Sequence, residues 1–413
     1  MMLLSRSLRS ECSLSDHEGS GASSSSRSSL FAAFVTLYFL ISAIYPRRSD
    51  GISELVFSGT PPTRLLAGRR KNLKLEAVKG FFLQDLAETN QTSFNVFHAH
   101  DFGLIPQRYS IFTGGVSEDA SQWDQFQVEV LRMNAESTVP RLAVRGYKVL
   151  YLFRPPQSWH HTGESFYGKE SWNCLWTRQD GNGTAKFIDA DLTPDGVHSA
   201  KYIHSLWNKH LGKTKIAKPE LFLSSPLSRA AETLVYAFNL TSRTPPPPSP
   251  IFVEFLRESF GVDTHNSRRS FTYLKKRFPL FEFEEEFSEF DPLWTSNRDE
   301  TEESTLHRAK IFLENLFLRR SEVFVAVATH ERIIKAILGA IGHRPFQVPV
   351  GHMIPVVIKG SWFKSWETRT EAEKYRMYYK KDRNCTVLDP VTDPDAEPEL
   401  EDDDLDLGHA DAL

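Results

Sequence analysis

Three side chains offer chemistry most plainly in this sequence: Arg154, Arg229 and His330. Each follows closely on a short unbroken apolar run: Val149–Phe153 (VLYLF), Leu221–Leu223 (LFL) and Val323–Ala328 (VFVAVA). Two guanidinium forks beside an imidazole suit an anionic ligand, because their paired N–H donors match the oxygens of a phosphoryl group. A single Arg or His is ordinarily a surface ion pair or a satisfied core residue. Three of them at matching strand ends point instead to one shared ligand.

The elements that must position these groups follow from hydrophobic spacing. Short apolar runs closed by turn or polar residues read as buried strands, and the first stops abruptly at Arg154-Pro155-Pro156. Trp123, Phe126, Val130 and Met133, spaced by three and four, predict a helix with one apolar face before that strand. Thr193 followed by Pro194 reads as an N-cap and first helical residue, with Val197, Ala200, Ile203, Trp207 and Leu211 as the buried stripe. Arg229 falls in the first turn of a helix that turns Leu234 and Phe238 inward. After His330 comes another apolar face, Ile333, Ile334, Ile337 and Ile341, and Ile354–Ile358 reads as a last strand. Alternating strands and helices predict an α/β fold, a mostly parallel sheet with helices on both faces. Ligands of such sheets bind outside the carboxyl ends of the strands, where the three residues fall.

The chain has 413 residues, 40% hydrophobic, ample for a packed core. Its formal net charge of -4 speaks against a nucleic-acid partner. Residues 389–413 carry 11 Asp or Glu and no Lys or Arg, the composition of a disordered acidic tail. Residues 1–29 are Ser-rich and read as a second disordered tail. Residues 30–45 form an uncharged apolar run, an N-terminal segment roughly 24 Å long as a helix, a little short of the roughly 30 Å hydrocarbon core. A single-pass membrane anchor, a signal peptide and a buried helix all fit it. Basic residues after the run favour a cytoplasmic main domain by the positive-inside rule, whereas sequons at Asn90, Asn182, Asn239 and Asn384 would be used only in a lumenal one. Residues 46–74 read as a linker and 75–388 as the folded domain. Three widely spaced cysteines, Cys12, Cys174 and Cys385, provide neither a disulfide framework nor a zinc site with paired cysteines, and nothing calls for a cofactor or metal.

The motifs around these residues resemble the histidine phosphatase superfamily, in particular the phosphoglycerate-mutase-like proteins of fungi. In that family the first strand ends in Arg-His-Gly, where this chain reads Arg154-Pro155-Pro156-Gln157-Ser158-Trp159-His160-His161. Phe166–Trp176 (FYGKESWNCLW), Asp189–Gly196 (DADLTPDG), Ser225–Thr233 (SPLSRAAET), Leu256–Gly261 (LRESFG), Asp291–Trp294 (DPLW) and Thr329-His330 are similar to further family motifs. The resemblance implies a phosphoric monoester hydrolase acting on a small phosphorylated metabolite. Arg154, Arg229 and His330 would hold the phosphoryl group and Glu258 would donate the proton. The family nucleophile is the histidine of Arg-His-Gly, which forms a phosphohistidine that water resolves.

That histidine is Pro155 here, and proline has no nucleophile. Pro156 replaces the glycine, removing an N–H donor and the close backbone approach. Arg154, now before a proline, is biased toward extended conformations. His161 stands for the usual asparagine, and Glu331 sets a carboxylate beside an anion pocket. His160 and His161 lie six and seven residues past Arg154 and are expected to miss the in-line position. Three readings follow: a phosphatase fold with impaired catalysis, an active phosphatase with a rearranged nucleophile, or a membrane-tethered interaction protein with a relic pocket. The Phe-rich stretch Phe271–Trp294 reads as a lid over the site, with core packing of Phe281 and Phe283 as the alternative. Arg268, Arg269, Lys275, Lys276 and Arg277 read as a solvated face.

Overall fold

The computed structural model describes residues 71–91, 93–109, 120–137, 144–241, 248–364 and 379–381. In chain order the elements are β1 (Lys71–Ala77), α1 (Gln122–Ser137), β2 (Val144–Phe153), α2 (Trp159–Tyr167), α3 (Lys169–Cys174), α4 (Pro194–Lys213), β3 (Leu221–Ser224), α5 (Ser228–Phe238) and β4 (Ile251–Phe252). There follow α6 (Phe271–Arg277), β5 (Glu282–Phe283), β6 (Arg298–Glu300), α7 (Glu302–Arg319), β7 (Phe324–Ala328), α8 (Glu331–Ala340), β8 (Met353–Lys364) and β9 (Tyr379–Lys381). The apolar run 30–45 and both tails lie outside the described residues. Among the described residues no helix is long and apolar enough to cross a membrane.

Seven strands make one sheet in the order β1-β8-β2-β7-β3-β4-β5. The strands β2, β7, β3, β4 and β5 run parallel. The sheet is therefore the mostly parallel one that the alternating pattern predicts. Its margin differs: Ile354–Ile358 belongs to a twelve-residue strand, β8, antiparallel to both β1 and β2. An apolar run reads alike in either direction, so its spacing carried no sign of this. Nor is β8 the last strand, since β9 pairs antiparallel with β6 in a separate two-stranded sheet.

Side chains alternate across β2 and sort the core into two layers. Val149, Tyr151 and Phe153 face Trp123 and Phe126 of α1, Ile203 and Trp207 of α4, and Leu234 of α5. Leu150 and Leu152 face Phe312 and Leu316 of α7 and Ile333 and Ile337 of α8. Each fully buried Leu, Ile or Phe contributes about 1.5–3 kcal/mol, so β2 is clamped from both sides. Its carboxyl end is correspondingly a fixed point.

Two local expectations change. Phe278 and Phe281 are buried with Leu274, Phe252, Ala231 and Val235, and Phe283 packs against them. Phe278, Phe281 and Phe283 are thus core packing, because α6 lays them against β4 and α5, whereas Phe290 is exposed. Arg268 is not on a solvated face either: it is 4% exposed, its Nε donating to Glu254 at 2.5 Å and its Nη2 to the carbonyls of Ser288 and Phe290. Arg277 pairs with Glu232 at 2.6 Å, which leaves Lys275 and Lys276 as the exposed pair. Cys174, at the end of α3, is disulfide-bonded.

Candidate active site

The parallel strand tips are stitched together by backbone bonds. Thr329 N–H donates to the Phe153 carbonyl at 3.0 Å, and Ser225 N–H donates to the Ala328 carbonyl at 2.9 Å. A cavity of about 100 Å³ opens there, lined by Arg154, Pro155, His160, His161, Arg229, Glu258, His265, His330 and Glu331. The four candidate side chains that the sequence singles out, together with Pro155, therefore share one cavity.

Arg229 is 3% exposed, in the first turn of α5. Its Nη1 donates to the His265 carbonyl at 2.6 Å and its Nη2 to Asn266 Oδ1 at 3.0 Å. Burial pulls its pKa down to about 10, with Asp189 and Glu258 working against the shift. His330 caps α8 and is also buried, its Nε2 2.9 Å from Ser225 Oγ. Burial first, then Arg229, Arg308 and Arg154, hold its pKa well below the usual value, so the ring is neutral at pH 7.

Glu258 sits in the irregular segment after β4. Arg308 of α7, itself fully buried, donates to the carbonyls of Phe255, Arg257 and Glu258 and pairs with Glu300, which fixes this segment against the sheet. Glu258 Oε1 accepts from the Arg332 N–H at 3.3 Å. Burial raises its pKa despite Arg332, Arg229, Arg308 and Arg154 nearby. A carboxyl so held is suited to carry a proton to a leaving group.

Arg154 keeps its place at the tip of β2 through its N–H, which donates to the His352 carbonyl at 2.9 Å. Its guanidinium is already partly engaged. Nη1 donates to the Val348 carbonyl at 2.8 Å, and Nη2 pairs with Glu331 Oε2 at 2.6 Å. The carboxylate that the sequence sets beside the pocket thus lies on the arginine itself.

The chain turns back sharply after Arg154. Pro155 and Pro156 are buried, the Gly351 N–H donates to the Pro155 carbonyl at 3.1 Å, and Ser158 bridges to Leu192. Gly196 completes this packing: a Cβ there would stand 2.0 Å from the Gln157 carbonyl oxygen. Four residues thus return the chain over the strand ends, and α2 delivers His160 and His161 into the cavity. Both rings therefore border the cavity despite their separation from Arg154 in sequence. Their distance along the chain overstated their distance in space, because the proline turn folds it back.

Ser158 contacts both imidazoles. The Ser158 N–H, which can only donate, points at His161 Nδ1 at 3.1 Å, so neutral His161 carries its hydrogen on Nε2. Ser158 Oγ lies 3.1 Å from that same Nδ1 and 2.9 Å from His160 Nδ1. The single Nδ1 lone pair of His161 already accepts from the Ser158 N–H, and the hydroxyl donates to or accepts from His160 Nδ1 according to the tautomer of that ring. No described residue hydrogen-bonds His160 Nε2. Burial, Arg229 and Arg154 lower the His161 pKa to about 4. His160 is pushed well below its usual value by burial and then by His265 and His161. His265 stacks on His160 with ring centroids 4.4 Å apart and planes 4° apart. It had no signal in the sequence, being a lone histidine in an irregular segment. Among the described residues no group of His, Cys, Asp and Glu is arranged to hold a metal ion.

The family model of the histidine phosphatase superfamily (branch 1) matches residues 174–352. A "Probable phosphoglycerate mutase" of Arthroderma benhamiae is 32% identical over 289 residues, covering 70% of this chain and 84% of the relative. The chain belongs to the histidine phosphatase superfamily. "Phosphomutase-like protein 3" of Candida albicans is 34% identical over 212 residues, 51% of this chain and 65% of the relative. A probable phosphoglycerate mutase of Saccharomyces cerevisiae is 26% identical, covering 52% of this chain and 79% of the relative. The fungal, phosphoglycerate-mutase-like character that the motifs suggested is therefore correct. The match to the family model begins at residue 174, beyond Pro155, which lines the cavity wall beside Arg154.

Proposed function

We propose that the cavity binds the phosphoryl group of a small phosphomonoester and that the superfamily's phosphohistidine route is closed at Pro155, so that hydrolysis is weak or absent. The observation that carries this reading is Pro155 itself, lining a cavity whose other walls are Arg154, Arg229, Glu258 and His330. Phosphoryl transfer to an enzyme needs a lone pair in line with the breaking P–O bond, and a proline ring has none. The remaining groups still suit the ligand: two arginines match the phosphoryl oxygens, His161 Nε2–H is a further donor, and Glu258 can protonate a leaving alkoxide. In this role Arg154 and Arg229 hold the oxygens and neutral His330 adds a hydrogen bond.

Two measurements on the purified protein test both halves. Inorganic phosphate at 100 times its dissociation constant should raise unfolding stability by about 2.7 kcal/mol. Incubation with an aryl phosphate should leave no alkali-stable, acid-labile phosphoryl group on the protein. Absence of any phosphate effect at tens of millimolar refutes the binding half, and a stoichiometric phosphohistidine refutes the other.

One observation favours a second reading, an active phosphatase with a rearranged nucleophile. His160 borders the cavity with its Nε2 engaged by no described residue. In that case Nε2 attacks phosphorus, the P–O ester bond breaks, and Glu258 protonates the departing oxygen. Water then splits the P–N bond. Phosphoryl labelling that survives in Arg332→Ala but vanishes in His160→Asn supports this reading over the first.

A further inference from the structure

The ion pair of Arg154 Nη2 with Glu331 Oε2, at 2.6 Å, is an unexpected contact for a pocket built to hold an anion. Glu331 is the first residue of α8, where the helix N-terminus favours a carboxylate. Arg332, the next cation along the helix, is turned toward Glu258 and Asp299, each at 3.9 Å, and leaves Glu331 to Arg154. The Glu331 side chain is 42% exposed, and only Oε2 is engaged; Oε1 has no partner among the described residues. Arg154 has committed two of its five N–H groups, to Val348 and Glu331. Three remain for a ligand.

A phosphoryl group on those three donors lies beside the Glu331 carboxylate, and the two anions repel. The repulsion turns into attraction when the ligand brings its own cation. We propose that Glu331 makes this pocket selective for short phosphomonoesters that carry an ammonium group, with the phosphoryl on Arg154 and Arg229 and the ammonium on Glu331 Oε1. This rests on the reading that the cavity binds a phosphoryl group. Arg154 and Glu331 touch, so the ligand's two charged ends must be close neighbours. With charge-assisted contacts of about 2.7–2.9 Å on each side, a spacer of about two carbons fits. A cavity of about 100 Å³ has room for such a head and little more. Ammonium is also the better cation here, since a guanidinium would duplicate Arg154 in shape and compete with it for the carboxylate.

The test compares phosphoethanolamine with propyl phosphate, its isostere with a methyl in place of the ammonium, by titration calorimetry at neutral pH, with inorganic phosphate as reference. Wild type should bind phosphoethanolamine about tenfold or more tightly than propyl phosphate, the worth of one hydrogen bond to a charged group. In Glu331→Gln that ratio should fall toward one, mainly because propyl phosphate binds better. If inorganic phosphate binds wild type but the two esters bind equally, the selectivity is refuted while phosphoryl binding stands. Selectivity is likewise refuted if Glu331→Gln strengthens both esters by the same factor, which makes Glu331 a plain repulsive plug. If none of the three ligands binds either protein, phosphoryl binding fails and the selectivity falls with it.

Discussion

Replacing Arg308 by Met tests how the segment bearing Glu258 is held. Arg308 and Glu300 are both fully buried, joined by Nε–Oε1 at 2.8 Å and Nη2–Oε2 at 2.9 Å. The remaining guanidinium hydrogens go to the carbonyls of Phe255 and Arg257 at 2.8 and 2.6 Å and to that of Glu258. Removing one partner of a buried pair leaves the other uncompensated, at a cost of about 3–5 kcal/mol. In a domain of this size that is a fall in Tm of roughly 5–9 °C, read by thermal unfolding under circular dichroism. Among the described residues, Glu300 then keeps the Ser304 hydroxyl at 2.9 Å and the Phe260 N–H at 3.2 Å. The double variant Arg308→Met with Glu300→Met removes the stranded charge as well and should recover much of the loss. An Arg308→Met protein within about 1 kcal/mol of wild type, or a double variant that simply adds two losses, refutes the assignment of Arg308 as the brace of this segment.

Other perturbations follow from the same geometry. Arg229→Lys keeps the charge but not the fork that reaches both the His265 carbonyl and Asn266, so phosphate-induced stabilisation should fall at least tenfold in apparent affinity. Stability should also fall with acid through His161. Its folded pKa of about 4 lies below the ordinary 6.5, so below pH 6.5 the unfolded chain binds the proton first and stability is lost progressively down to pH 4, by up to about 3 kcal/mol. Glu232, raised by burial to about 7, works in the opposite sense as pH falls from 7, but is common to wild type and His161→Asn. Denaturant titrations at pH 7, 5.5 and 4 should therefore show a shallower acid slope in His161→Asn, and parallel slopes would contradict the assignment.

Much of this site was legible because it lies at the ends of elements with strong local signals. Val149–Phe153 and Val323–Ala328 are unbroken apolar runs, so Arg154 and His330 had to sit at strand tips, and the Thr193-Pro194 cap fixed the start of α4. The direction of β8 was not legible, since apolar continuity is the same for parallel and antiparallel neighbours. His265 was invisible for another reason: its place on His160 depends on the fold of an irregular segment without periodicity. His160 and His161 are visible in the sequence, but their reach is not. A Pro-Pro turn reads as a disruption of the site, whereas it folds the next helix back onto it. Arg268 misleads through composition, because a cation among cations reads as surface until Glu254 and the carbonyls of Ser288 and Phe290 are seen around it.

The central claim is that the cavity retains its phosphoryl grip and lacks the nucleophile at one position. The direct measurement is turnover of a generic aryl phosphate by wild type and by Pro155→His combined with Pro156→Gly. Restoring the imidazole and the glycine should raise kcat/KM by about a hundredfold or more, a modest share of what losing a nucleophile costs elsewhere, and the restored protein alone should accumulate phosphohistidine. Equal turnover by the two proteins, with both folded and both binding phosphate, contradicts the account.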